Sequence, residues 1–295
     1  MARITKMRLL APLLLLLAAG LALAACAPVA VLNAFVPEGG LERNSGIAYG
    51  DDARQRLDVY VPRAKPAQSP APVVVFFYGG RWQEGHRSRY LFAAEALTAQ
   101  GFVVVVPDYR VYPAVQYPGF LEDGARAVAW TRREIARFGG DTSRIFLMGH
   151  SAGAHIAAML AYDEEFLARQ GLRRVDVRGV IGLAGPYDFL PLTDADLVGV
   201  FSAAPSLEAT QPIRYVRGGE PPSLLITGDA DTTVKPGNTV RLAARLREAG
   251  STVVERHYAG LNHYTLIARL AAPLRSDDLV QAIAAFVRGE PVDNR

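Results

Sequence analysis

The chain has 295 residues, half of them hydrophobic, enough for one large α/β domain with a substantial core. Its formal charge of +3 does not mark a nucleic-acid binder. Arg3, Lys6 and Arg8 lie in the first 25 residues, and without that segment the 32 basic side chains fall to 29, matching the 29 acidic ones. A single cysteine excludes an internal disulfide, so the fold must rest on its core alone.

The three basic residues precede an uncharged, leucine- and alanine-rich run from Leu9 to Ala25, which contains Pro12 and ends in small residues. Such a run suits a secretory signal better than a membrane-spanning helix. It closes on Leu23-Ala-Ala-Cys26, the only cysteine. That tetrad resembles the lipobox of bacterial lipoproteins, which implies that Cys26 is lipidated, becomes the mature N-terminus and holds the protein on a membrane. Ala27 stands where an aspartate often retains such lipoproteins at the inner membrane. The expected place is therefore the outer membrane, facing the periplasm. The expected organisation is a signal peptide (1–25), a tether (26–43) and one catalytic-sized domain (44–290).

Within the domain, Ile47–Tyr49 and the alternating Leu57–Val61 predict two strands, the second half-exposed. Lys65 to Pro72 reads as a loop. Val73–Phe77 is a continuous apolar run, as in a strand buried on both faces, and it empties into Tyr78-Gly-Gly-Arg-Trp82. Helical spacing follows from Ser88 to Gln100, then a strand at Phe102–Val106 ending in Pro107-Asp-Tyr-Arg110. A long helix is predicted over Phe120–Phe138, closed by Gly139-Gly140, and Asp141–Arg144 leads into the apolar Ile145–Met148. Gly149-His-Ser-Ala-Gly153 comes next, before a helix over Ala154–Ala161. Further strands are expected at Val177–Leu183, Leu224–Thr227 and Thr252–Tyr258, with helices at Pro236–Gly250 and Asp278–Val287. Residues 189–220 have no clean period and several prolines, suggesting an inserted cap of short helices. Buried strands alternating with helices make a mostly parallel sheet with helices on both faces.

A strand, a glycine-flanked serine and a helix place Ser151 at a strained apex, its hydroxyl at the positive end of the following helix. This G-x-S-x-G elbow resembles the α/β-hydrolase family, and the fold expected is the α/β-hydrolase fold. A serine hydroxyl needs a positioned base. Of His86, His150, His155, His257 and His263, only His263 lies in a loop beyond the last strand, where open α/β sheets gather ligands. His150 should point into the sheet or a neighbouring helix, and strand alternation can bury His257. Gly228-Asp-Ala-Asp-Thr-Thr-Val234 resembles the family's acid loop, which selects Asp231 and leaves Asp229 as a turn residue capping backbone amides. The order Ser151, Asp231, His263 is the one the fold uses.

The oxyanion donors expected are the backbone N–H of Ala152 and of the Gly79-Gly80 loop. That loop resembles the H-G-G-x-W motif of esterases related to the hormone-sensitive-lipase and arylformamidase groups, but Tyr78 replaces the histidine. Asp108-Tyr109-Arg110 resembles a structural D-Y-R of the same enzymes. Trp82, Tyr112, Asp188, Tyr187 and Tyr264 are candidate pocket residues, Asp188 also being placed to cap the next helix. No H-E-x-x-H spacing and no phosphate-binding glycine loop occur, so no metal and no cofactor are expected. The resemblance implies hydrolysis of a small-molecule carboxylic ester with small or medium acyl groups through an acyl-enzyme intermediate. Formamide, amide or sugar-acetyl-ester hydrolysis uses the same machinery, and a non-catalytic binding module on this scaffold is the reading of another class.

Overall fold

The computed structural model describes residues 32–64 and 70–294; the signal segment, Cys26 and part of the loop from Lys65 lie outside the described residues. Its centre is an eight-stranded sheet in the order β1-β2-β4-β3-β5-β6-β7-β8. The strands are β1 (Leu41–Ala48), β2 (Arg56–Pro62), β3 (Ala71–Phe77), β4 (Val103–Pro107), β5 (Gly140–His150), β6 (Gly179–Leu183), β7 (Ser223–Gly228) and β8 (Val253–Tyr258). β1 pairs with β2, and β2 with β4, antiparallel; every pair from β4 to β8 is parallel.

The central strands form where the sequence is continuously apolar. Every residue of β3 and β4 is buried, and each such side chain contributes roughly 1.5–3 kcal/mol on leaving water. Val73–Phe77 runs in register with Ile145–Gly149, so the elbow strand lies at the middle of the sheet. Helices cover the sheet: α1 (Leu91–Thr98), α2 (Gly119–Glu134), α3 (Ala152–Tyr162), α4 (Glu164–Ala168), α5 (Ala195–Phe201), α6 (Gly237–Glu248), α7 (His263–Ala268) and α8 (Asp277–Arg288). Their ends follow local chemistry. Asp163 and Ser276 cap α4 and α8 through their side chains, and Gly289, in the left-handed region, closes α8.

Several elements differ from the sequence expectation. β1 starts six residues before Ile47, because an antiparallel edge strand tolerates polar residues. Arg43 reaches Asp58 on β2 (2.7 Å), and Gly46, at φ 71°, donates its N–H to the same carboxylate across a bulge. β5 extends back to Gly140, where a Cβ would crowd Val73 and Ile135. The helix expected from Ser88 begins as a short 3-10 turn (Arg87–Tyr90) and becomes α-helical only at Leu91.

Residues 189–220 carry α5 and two 3-10 turns, Glu208–Thr210 and Pro212–Tyr215. Phe201 and Phe189 from this segment pack on Trp82 and His155 (Trp82–Phe201 centroids 4.9 Å, Trp82–His155 5.0 Å). The segment thus closes over the carboxyl ends of β3 and β5. The loops after β3, β5, β6, β7 and β8 all leave the sheet at that end, the place where open α/β sheets assemble sites.

Candidate active site

Ser151 joins β5 to α3 at φ 56°, ψ −125°, a conformation costly for a residue with a Cβ. The strain is held by close packing: a Cβ on Gly153 would fall on the carbonyl oxygen of Phe77, and one on Gly149 on the backbone of Gly153. The Ser151 N–H donates to the carbonyl of Leu183 at the end of β6 (2.9 Å). The side chain is thereby turned away from the sheet, with the first turn of α3 behind it.

The loop after β3 presses against this elbow. A Cβ on Gly79 would come within 3.0 Å of the Ser151 Cβ and 3.1 Å of the His150 carbonyl oxygen. Gly80 has φ 140°, and its carbonyl accepts from the N–H groups of Gln83 and Glu84. Arg81 and Trp82 follow at φ 56° and 59°, two successive non-glycine residues in the left-handed region.

Tyr78 supplies the anchor for that conformation. Its hydroxyl donates to Asp108 (2.8 Å) and accepts from Arg54 (3.1 Å), while its carbonyl accepts from the Tyr109 hydroxyl (2.7 Å). Its ring stacks on Tyr109 and Tyr90. Burial, with Tyr109 and Asp108 nearby, holds this phenol well above its ordinary pKa, so it remains a neutral donor. Asp108 also accepts from the backbone and guanidinium of Arg87, and Arg110 pairs with Asp123 (2.8 Å). Asp108 and Tyr109 therefore brace the loop, a structural role in keeping with the one expected for the Asp108-Tyr109-Arg110 stretch.

Asp231 and His263 meet in a buried pair, Oδ2 to Nδ1 at 2.8 Å. The other carboxylate oxygen accepts from the N–H groups of Thr233 and Val234, both 2.9 Å, which fixes the orientation of the first. A carboxylate at Nδ1 takes that N–H and leaves Nε2 as the imidazole's acceptor. His263 is not in an open loop, as expected, but is the first residue of α7. Asn262 accepts from the N–H groups of Tyr264 and Thr265, and Thr265 returns a bond to the Asn262 N–H. This Asn-x-x-Thr box was a readable start signal.

The His263 ring lies 4.7 Å from that of His150, the residue next to Ser151, and His150 Nε2 is 3.1 Å from the His263 carbonyl oxygen. The pair is thus brought beside the elbow. Ser151 Oγ makes no hydrogen bond to His263 among the described residues. Apo sites commonly tighten this contact only with substrate.

The other histidines have separate surroundings. His150 is buried and held well below its usual pKa, by burial first and by His263 second. His155 is buried against Trp82 with Nε2 2.8 Å from the Thr210 carbonyl oxygen, and burial lowers its pKa to about 4. His257 is half-buried, not enclosed as alternation suggested. Burial opposes its charge, but contacts with Glu255 (3.0 Å) and Asp229 (2.8 Å) outweigh that and raise its pKa. Asp229 is accordingly an ion-pair partner and not the backbone cap expected. His86 is exposed and accepts from the Ser88 N–H.

A cavity of about 450 Å³ opens above Ser151 and Ala152. Trp82, Phe189, Leu190, Thr232, Lys235 and Arg241 are among the residues that line it. Of the pocket candidates, Trp82 and Asp188 reach it. Asp188 caps no helix; its carboxylate pairs with Arg241 on α6. Tyr187 is corrected: its N–H donates to Asn238, and its ring turns back towards Gly182 and Gly185, which leave room for it. Tyr264 stands outside the cavity, 53% exposed, and Tyr112 packs beneath Gly199 of α5. Lys235 and Arg241 were not singled out in the sequence, because a lysine in a turn and an arginine on an amphipathic helix resemble any solvated cation.

A mostly parallel eight-stranded sheet, with a strained serine after β5 and an Asp–His pair from the loops after β7 and β8, has the α/β-hydrolase architecture. The chain matches the BD-FAE family over residues 57–246 and belongs to that family. It is 32% identical over 227 residues to esterase LipC of Mycobacterium tuberculosis, covering 70% of this chain and 56% of that protein. It is 28% identical over 269 residues to the probable isoprenylcysteine alpha-carbonyl methylesterase ICMEL1 of Arabidopsis thaliana, covering 83% of this chain and 56% of that one. The chain thus spans little more than half the length of these curated relatives. The crystal structure of esterase B from Lactobacillus Rhamnosis superposes with a TM-score of 0.76 at 21% identity, covering 94% of this chain and 93% of that one, a likeness of fold.

Two predictions follow from the site's internal bonds. Tyr78→Phe removes the hydroxyl shared by Asp108 and Arg54, and urea unfolding should show a loss of about 1 kcal/mol or more. His155 takes up its proton more readily unfolded, at its ordinary pKa of 6.5, than folded, at about 4. Its contribution is present above 6.5 and is lost as the pH falls towards 4. Unfolding free energy measured across that window should decline less steeply in His155→Gln, some slope remaining from His150.

Proposed function

We propose that the protein is a serine hydrolase that cleaves carboxylic esters of small or medium acyl groups, with Ser151 as nucleophile, His263 as general base and acid, and Asp231 orienting His263. The observation that carries this reading is the buried Asp231–His263 pair, 2.8 Å long, beside a serine held at φ 56°. Ser151 Oγ attacks the ester carbonyl and its proton passes to His263 Nε2. Asp231 holds the imidazole tautomer and stabilises the cation. The Ala152 N–H and the backbone of Gly79-Gly80 face the developing oxyanion in a site shielded by the 189–220 segment. Collapse expels the alcohol with the His263 proton and leaves an acyl-serine. Water, deprotonated by the same imidazole, releases the acid.

The esterase names of LipC and the methylesterase support ester chemistry over the other uses of this scaffold. In hydrolysis of p-nitrophenyl acetate, butyrate and octanoate by the full-length protein, Ser151→Ala should lower kcat by three to four orders of magnitude or more. An equally active mutant refutes the triad. N-formyl aryl amines and acetylated sugars in the same assay rank the formamide and sugar-ester alternatives.

The protein is further proposed to be exported and lipid-anchored through Cys26 to the periplasmic face of the outer membrane. Asn33, seven residues after Cys26, donates to the Ser88 carbonyl (2.6 Å) and accepts from the Phe92 N–H (3.1 Å). This contact ties Asn33 to the start of α1. Cys26→Ser should shift the protein from the membrane to the soluble fraction on fractionation; retention in the membrane would rule out the anchor.

A further inference from the structure

We infer that the cavity selects esters bearing a negative charge, and that Lys235 recognises that charge. The inference rests on the serine-hydrolase reading above and adds the substrate class. Three cations line the cavity, Arg81, Lys235 and Arg241, against two carboxylates, Asp188 and Asp194. Arg81 lies 2.7 Å from Asp194, and Arg241 pairs with Asp188, so those four charges compensate one another within the wall. The Lys235 ammonium has no ion-pair or hydrogen-bond partner among the described residues, leaving the wall one positive charge in excess.

A second feature adds to it. Lys235 stands two residues before the first residue of α6, whose start has no side-chain cap and no acidic residue in its first turn. The positive end of this twelve-residue helix thus carries no acidic side chain of its own, and Asn238 and Arg241 in its first turns line the cavity. Asn238 adds no negative group: its carbonyl oxygen is already taken by the N–H groups of Tyr187 and Asp188. Trp82, Phe189, Leu190 and Leu197 supply apolar surface to the same cavity. An ester matched to this lining has one apolar arm and one arm ending in a carboxylate, sulfate or phosphate. Its reacting carbonyl sits between them above Ser151. The anion gains a direct partner in Lys235 without breaking either existing pair.

The test compares kcat/KM of the full-length protein for matched esters: p-nitrophenyl hydrogen adipate against p-nitrophenyl hexanoate, which puts the charge on the acyl arm, and 4-carboxyphenyl hexanoate against 4-acetylphenyl hexanoate, which puts it on the alcohol arm. In one of these pairs the anionic ester should be preferred, and Lys235→Met should lower its kcat/KM by about tenfold, the size of one charge-assisted contact. Lys235→Glu should lower it further. In both variants the anionic-to-neutral ratio of kcat/KM should fall with the circular dichroism unchanged, and in the wild type that ratio should fall as salt is raised. The pair that responds identifies the arm carrying the charge. If Ser151-dependent hydrolysis of the neutral esters is intact but neither anionic ester responds to Lys235→Met, the inference is overturned while the hydrolase reading stands. If hydrolysis persists in Ser151→Ala, the hydrolase reading fails first.

Discussion

Everything around the candidate site depends on the absence of side chains where β3, β5 and α3 converge. Gly149 and Gly153 touch backbone on the far side of the turn, and Gly79 touches Ser151 and His150. These contacts let the loop after β3 lie flat against the elbow, backbone to backbone, so that amide donors and the serine share one small space. The sheet supplies the rest of the constraint. With β3 and β5 paired in register from Val73 to Phe77, the two loops leave from adjacent strands at the same height and cannot slide relative to each other without breaking the central ladder.

That strained centre is surrounded by a polar brace. Tyr78, Asp108, Arg54 and Arg87 bind one another behind the loop, and Asp58 adds a second carboxylate to Arg87 at 2.8 Å. Two consecutive residues at positive φ persist because this brace fixes the loop at one end, while the Trp82 carbonyl accepts from the Tyr112 N–H (2.8 Å) at the other. Tyr78 thus holds the loop both by its hydroxyl and by ring contacts on its two faces.

The sheet was legible where burial on both faces erased any alternation, as in Val73–Phe77 and Leu224–Thr227. It was less so in β1, an edge strand whose polar residues pair across a bulge, and in α7, a helix only six residues long. Ser151, Asp231 and His263 stood out because each sits at a strand end in a short motif. The pocket did not. Tyr187 and Tyr264 look equivalent in sequence, yet two small glycines draw one ring into the sheet, while the other projects from α7 into solvent. Such outcomes depend on what is folded opposite, which no local pattern records.

The turn after β7 has an additional property. Asp231 is held by the amides of Thr233 and Val234, and Thr232 and Lys235 in the same five-residue stretch face the cavity. One peptide segment thus carries both the carboxylate that orients an imidazole and the surface that meets a ligand. Insertions or deletions here would displace both together, so divergence in ligand choice among proteins built this way is channelled into side-chain exchange at fixed loop length. The 189–220 segment contributes to the cavity but none of the Asp–His geometry, so a change there would alter the cavity without moving that pair.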